Sequence, residues 1–600
     1  MSKIKLSDYI AKRLKEHGTE HFFMVSGGGA MHLNDSLGRV IPYTACHHEQ
    51  ACAIAAEGYA RVNQKLGVVN VTTGPGGLNC LNGVFGQWTD SVPVLYISGQ
   101  VKYTTSMASC PDVPLRQLGD QEVDIISAVK HLTKYAKMVT EPNEIKYHID
   151  RAIYEATTGR QGPVWLDIPM NVQGAIIEEE QLKEFDSGSY KTLKQVQSDK
   201  IVEVIEKLKS AKHPLIIAGH GIRLSEQIDN FKKLIEKLQI PVVTTFNGFD
   251  VIETDNPLYI GRIGTLGQRA GNFTLQNADL ILCLGTRNNI RQVSYNWENF
   301  AKNAYKIVVD IDEAELDKPL VKPDLKVCAD LKDFLPELIR VIARNESDEA
   351  IHKCNWLNFC QNLKDKYSFE NHPEQEQKDD VIEPYHFTYA LTKALKENDI
   401  YVMANGSACV CTFQNAVIKK GQRFILNSGN ASMGFGLPAA IGACYQAEGK
   451  NVICLEGDGS IMMNLQELQT LAFNKLPLKL FIINNNGYSS IRQTQRNFFN
   501  GHMTGSGADS GVSVPDFVEV GKAFGLKTKR ISNPKTMDEE IQEVLNTDGA
   551  VLCEVMTEKE YAFLPKLSSR KLDDGTMVSA SLEDMFPFLD RDEYEKNIIK

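Results

Sequence analysis

Along most of its length the chain alternates short apolar runs with segments whose apolar residues recur at helical spacing. The clearest case is residues 451–492. An apolar run at 452–455 breaks at Gly457-Asp458-Gly459, then Ile461, Leu465, Leu468, Leu471 and Ala472 follow a helical period, and a second apolar run, 478–483, meets Asn484-Asn485-Asn486-Gly487. This order predicts strand, turn, helix, strand, turn. In a parallel sheet both turns lie at the carboxyl ends of the strands, where open α/β sheets bind ligands.

Residues 68–97 repeat that outline. The apolar run 68–71 meets Thr73-Gly74-Pro75-Gly76-Gly77, and Gly74 precedes Pro93 by 19 residues as Gly457 precedes Pro477 by 20. Two copies of one unit predict two similarly folded domains. Between them, 214–218 ends in Gly219-His220-Gly221, and strand patterns at 241–245, 279–284 and 306–311 predict an α/β unit of six-strand size. A lone GHG is a weak nucleotide signal. The expectation is an α/β protein with three doubly wound parallel-sheet domains at 1–186, 197–345 and 385–560. A polar linker at 188–199, a charged linker at 346–384 and a C-terminal tail at 561–600 complete the chain.

Composition narrows the function classes. Six hundred residues exceed one core, and a formal charge of -11 without a basic tract argues against nucleic acid or an anionic membrane as partner. The apolar runs are too short for a membrane span, and the charged amphipathic N-terminus is unlike a signal peptide, so a cytoplasmic protein is expected. The 13 cysteines are scattered and read as reduced core residues.

The candidate chemistry sits in the turns. Asp458, Asn484 and Asn485 offer hard oxygen donors beside glycines that let backbone N–H groups approach an anion, a set that suits Mg²⁺ shared with phosphates. Ser26-Gly27-Gly28-Gly29 follows a strand pattern, and Glu49 opens an Ala-rich segment that reads as a buried helix. Each acid also has a bland reading, Asp458 as a helix cap and Glu49 as an acid favoured at a helix start.

GDG, the 24 residues 460–483 and then NN together resemble the signature of thiamine diphosphate enzymes. The resemblance implies a metal held by Asp458, Asn485 and Gly487, with Gly457, Gly459, Ser460, Gly406 and Ser407 at the diphosphate. HEQ with AAEGYAR, and TGPGGLN, resemble the pyrimidine-binding domain of the same family. They imply catalytic Glu49, bonding the pyrimidine from a site buried against apolar neighbours, and cofactor contacts from Gly28, Thr73, Gly74, Pro75 and Asn79; Asp120-Gln121-Glu122 stands where the family has Phe-Gln-Glu, which implies a catalytic Gln121 beside a changed first residue. MGFGLPAAIGA resembles the acetohydroxyacid synthase group, in which Met433 would wedge under the cofactor. The resemblance covers residues 5 to about 560.

A lyase or transferase joining a 2-oxo acid donor, pyruvate first, to a carbonyl acceptor is thereby implied, with the cofactor shared across a homodimer or homotetramer. PLIIAGHGI, PVVTTFNG, LGTRNNIRQV and VVDIDEAEL resemble segments that bind FAD in that group. Where those enzymes read RFDDR, this chain has Arg287-Asn288-Asn289-Ile290-Arg291, so FAD stays open. At acceptor-recognition positions a Lys and a Trp give way to Met170 and Thr494, with Ser490 in place of a Met. Ser490, Gln493, Thr494, Lys566 and Arg570 then point to a hydroxyl-rich acceptor such as a keto-sugar. RQLGDQE, SIRQTQ and SSRKLDDGTMVSASLEDM are also similar to proteins found with bacterial surface-polysaccharide genes. A true acetolactate synthase using two pyruvates and a flavin-linked enzyme resembling pyruvate oxidase are the alternatives.

Overall fold

The computed structural model describes residues 3–190, 196–344, 354–571, 574 and 576–599. Three six-stranded parallel sheets organise them, each with central strands buried on both faces and at least one partly exposed edge strand, which is why the central strands read as near-continuous apolar runs rather than alternation.

The first sheet contains β1 (Phe22–Met24), β2 (Tyr43–Ala45), β3 (Gly67–Val71), β4 (Val94–Gln100), β5 (Tyr135–Met138) and β6 (Val164–Pro169), in the order β2-β1-β3-β4-β6-β5. The central sheet contains β7 (Pro214–Ala218), β8 (Val242–Thr244), β9 (Tyr259–Arg262), β10 (Leu280–Leu284), β11 (Tyr305–Asp310) and β12 (Leu325–Cys328), in the order β9-β8-β7-β10-β11-β12. The third contains β13 (Ile400–Met403), β14 (Arg423–Ile425), β15 (Val452–Gly457), β16 (Leu478–Asn484), β17 (Lys527–Ile531) and β18 (Val551–Met556), in the order β14-β13-β15-β16-β18-β17.

The first and third sheets therefore share one winding, strand for strand, as the internal repeat predicts. The strand order reverses between β1 and β3 and again between β13 and β15. The turns after these four strands are thus the ones that flank a crevice. The predicted helix after Gly459 is broken into Asp458–Ile461 and Glu467–Phe473. Buried Asn464 lies between them and donates to the Gly434 carbonyl at 2.8 Å, which binds this segment to the loop before the Gly436–Cys444 helix.

The Ala-rich segment is the helix Glu49–Asn63, buried throughout Ala51–Arg61. Its small side chains admit the helix Gly436–Cys444 at close range, so the first and third domains meet backbone to backbone. Buried charges fasten the central domain to both. Arg423 donates to Asp250 at 2.8 Å and to the Arg61 carbonyl at 3.0 Å, and Arg223 pairs with Asp250 at 3.0 Å. The tail touches the third domain through Tyr561 and Phe563 and then runs back over the central domain. There the Asn272 side chain donates to Leu582 O at 3.0 Å and Asn277 to Asn597 O at 2.7 Å. Of the two expected linkers, 191–195 and 346–353 lie outside the described residues.

Candidate functional site

Strand β15 delivers Asp458 at its carboxyl end, and the neighbouring β16 delivers Asn484 to Gly487 in register beside it. Asp458 is 2% exposed. Its Oδ1 accepts the Gly459 N–H at 2.6 Å and its Oδ2 the Gly487 N–H at 2.9 Å, so one carboxylate ties the two turns together. Burial pushes its pKa up to about 6 against the pull of these N–H groups and of Arg492. Asn485 is buried beside it, and Gly487 adopts φ 124, where a side chain would meet Ser506 O at 2.6 Å.

The space beside these donors is shaped by glycines. A Cβ on Gly406 would meet nothing within 4 Å, and one on Gly457 only Ser460 Cβ at 3.9 Å. Gly406 holds φ 64 ahead of the helix Ser407–Asn415, and Gly74 holds φ 63 ahead of Pro75–Asn79. Gly459 differs from the expectation. Its open side is filled by the Tyr488 ring, 2.3 Å from a would-be Cβ, so glycine serves protein packing there. Ser460 accepts the Gly434 N–H at 2.9 Å and so ties the GDG turn to the Met433 loop; Met433 itself is half-buried. Glu456, one residue before the turn, is wholly buried and accepts the Leu437 N–H at 2.9 Å; burial raises its pKa to about 7.

The first domain forms a second cluster. Glu49 begins its helix and accepts from Asn79 Nδ2 at 2.9 Å. It is half-buried in the single chain, which corrects the expectation of a carboxyl group enclosed by apolar neighbours. Gly74 lies against Gln121, whose carbonyl would be 2.0 Å from a Cβ at that glycine, so these two sequence-predicted residues are brought together. Pro75 takes the first helical position and is exposed. Thr73 is buried and its hydroxyl donates to Gln100 at 2.5 Å, while Thr72 accepts the Gly29 N–H at 3.0 Å. Of the three successive glycines, Gly28 alone has nothing within 4 Å of a Cβ.

Among the described residues no hydrogen bond joins Glu49 or Asn79 to Asp458, Asn485 or Gly487; the domains meet elsewhere, at His47 N to Glu467 (3.0 Å) and Asn82 to Ser432 (2.8 Å). Sequence reasoning overlooked Arg492, Tyr488, Thr72 and Glu456. Only the SIRQTQ segment carried a signal, for Arg492. At the expected acceptor positions, Met170 is half-buried, and Thr494 is exposed with its hydroxyl donating to Ser490 O at 3.1 Å. Lys566 pairs its backbone with Phe586, and the Arg570 side chain lies outside the described residues.

A separate cleft opens at the carboxyl ends of β7, β10, β11 and β12, lined by His220, Arg287, Asp310 and Asp330 and closed by Arg160 of the first domain. His220 Nδ1 is buried without a hydrogen-bond partner among the described residues, and burial lifts Asp310 to about 6. Carboxyl groups and guanidinium groups at a topological switch point suit the ribose and phosphates of a nucleotide. Among the described residues no helix is long and apolar enough to cross a membrane.

A buried carboxylate, an amide oxygen, a turn carbonyl and glycine-lined space beside a helix N-terminus fit a divalent cation with the diphosphate it accompanies. Comparison with known proteins bears on the diphosphate. Models of thiamine pyrophosphate enzymes match the chain at residues 4–128 (N-terminal TPP binding domain), 201–338 (central domain) and 404–555 (C-terminal TPP binding domain). The acetolactate synthase large subunit of Lactococcus lactis subsp. lactis is 32% identical over 94% of this chain and 96% of its own length. Acetolactate synthase isozyme 2 large subunit of Escherichia coli is 30% identical over 92% and 95%. Acetolactate synthase 1 of Zea mays is 28% identical over 94% and 87%. With three domain models matched in order and relatives similar along nearly the whole chain, the protein belongs to the thiamine pyrophosphate enzyme family.

Proposed function

We propose that the chain decarboxylates a 2-oxo acid, pyruvate in the first instance, and joins the remaining two-carbon unit to a carbonyl acceptor. Thiamine diphosphate with Mg²⁺ would be held by Asp458, Asn485 and the Gly487 carbonyl of one copy, facing Glu49 of a second copy. When bound, the cofactor supplies the carbanion chemistry. The observation that carries the reading is the Asp458 carboxylate buried between two glycine turns at a topological switch point.

The protein residues have distinct tasks. Asp458 and Asn485 would hold the cation that accompanies the diphosphate. Glu49, bonded to Asn79, is positioned to hold or give up a proton at the pyrimidine ring once a second copy encloses it. Met433, half-buried in the loop before the Gly436–Cys444 helix, would pack against the cofactor and orient it, a proximity effect. The separation of the Glu49 and Asp458 clusters within one chain supports a homodimer as the minimum unit. So do Leu78, Phe85 and Trp88, 41%, 39% and 39% exposed beside the first-domain turn.

For the acceptor, Met170 and Thr494 in place of a Lys and a Trp favour a hydroxyl-rich carbonyl compound such as a keto-sugar. A site built to pair hydroxyls discriminates by up to ~10⁴-fold against a substrate without them. A second reading, two pyruvates giving acetolactate, is favoured by the 30% and 32% identity to acetolactate synthases. Labelled pyruvate offered with a panel of keto-sugars, following CO₂ and product mass, tests the function. Efficient acetolactate formation from pyruvate alone would reject the sugar reading, and no CO₂ release would reject both. The central cleft is proposed as a nucleotide site, and visible absorbance of the purified protein decides whether the nucleotide is a flavin.

A further inference from the structure

Tyr561 lies beyond β18, outside both turn motifs, yet the fold returns it to the Asp458 site. Two contacts determine where it sits. The Thr557 N–H donates to Asn484 O at 3.0 Å, and Arg492 Nη2 spans from Asn485 O (2.9 Å) to Lys559 O (3.2 Å). The segment 557–561 is thereby tied to the same turn that carries Asn485 and Gly487.

The two ends of the Tyr561 side chain face different surroundings. Its ring packs in an apolar cluster with Tyr385, Val410, Cys411 and Phe563, and the residue is 6% exposed. Its hydroxyl bonds the Ser407 hydroxyl, lies 3.5 Å from Asn485 Nδ2 and also faces the Ser489 hydroxyl. Ser407 opens a nine-residue helix whose first N–H groups have no intrahelical partner, and Gly406 leaves open space at that end. Three hydroxyls, an amide NH₂ and a helix N-terminus thus converge with no carboxylate among the partners of the phenol. Such a donor-rich group is matched by an oxyanion.

We propose that Tyr561 is a cofactor-binding residue whose hydroxyl donates to the diphosphate held at the Asp458 turn, an assignment that rests on the thiamine diphosphate reading above. The chain beyond β18 is then part of the cofactor site as well as a tail.

Tyr561→Phe keeps the ring and removes the donor. The full-length protein, freed of cofactor, is titrated by calorimetry with thiamine diphosphate plus Mg²⁺ and, as a probe without the rings, with magnesium pyrophosphate. Both affinities should fall about tenfold, the effect of losing one hydrogen bond to a charged group, in a cofactor-free variant that still shows a cooperative melting transition. Wild-type affinity in the variant overturns the assignment. A loss seen with thiamine diphosphate but not with magnesium pyrophosphate also overturns it, because the hydroxyl would then act away from the diphosphate. If the underlying reading fails instead, the wild-type protein itself binds neither probe.

Discussion

Gly58 lies so close to Ala439 that a Cβ on Gly58 would stand 2.0 Å from the Ala439 carbonyl oxygen, and Gly442 is in the same position towards Ala55, at 1.8 Å. The two helices follow equivalent strands of equally wound sheets and cross with only backbone between them. Gly58→Ala or Gly442→Ala gains up to ~1 kcal/mol in helix propensity but must separate the helices, an overpacking cost of about 1–3 kcal/mol or more. The expected result is a lower thermal midpoint for each variant. A midpoint equal to that of the wild type would show that the crossing is not tight in solution.

Asp458→Ala removes the carboxylate that joins the two turns and faces the proposed cation. Thiamine diphosphate binding that depends on Mg²⁺ should be lost, by at least ~100-fold, as measured by calorimetry. Binding at wild-type affinity would count against Asp458 as a ligand.

Because the Glu49 and Asp458 clusters are separate in one chain, each active site should draw on two copies. Glu49→Gln and Asp458→Ala proteins, each inactive, should regain up to about a quarter of wild-type activity when mixed and allowed to exchange, since random pairing yields heterodimers with one intact site. Exchange demonstrated by mass spectrometry without recovered activity would refute a shared site.

Burial raises Asp167 to about 7 even though Ser98 donates to it at 2.6 Å and Gln100 at 3.0 Å. In the unfolded chain the same carboxyl group titrates near ~3.9. Between these values the folded state holds a proton that the unfolded state has released, so stability falls as pH rises from about 4 to about 7, by up to ~1.4 kcal/mol per pH unit. Asp167→Asn should lose this component, and its melting temperature should gain on the wild type across that window. Parallel melting curves at all pH values would contradict the assignment.

Much of the architecture was legible because period and punctuation are local. The apolar runs at 452–455 and 478–483 became β15 and β16, and the repeat at 68–97 became β3 and β4. The turn residues Asp458, Asn485 and Gly28 follow from the same reading, since glycine and short polar side chains mark where a backbone meets a ligand, whereas Gly406 came only from the family resemblance.

What stayed hidden depends on contacts between distant segments. In the sequence Gly459 looks like one more glycine of the cofactor turn; the fold sets the Tyr488 ring against it. A buried helix was correctly expected from Ala51 to Arg61, yet the half-exposure of Glu49 at its start was not, because enclosure there depends on surfaces the segment does not contain. Tyr561 carries no local signal at all. Its position comes from Thr557, bonded to Asn484, and from Arg492, bonded to the Lys559 carbonyl 67 residues further on, and only the tertiary structure brings such pairs together. The sequence thus determined the strands, the repeat and the chemistry of the turns, whose physics is nearest-neighbour. The folded chain alone decided which side chains converge, because convergence is a property of packing between elements.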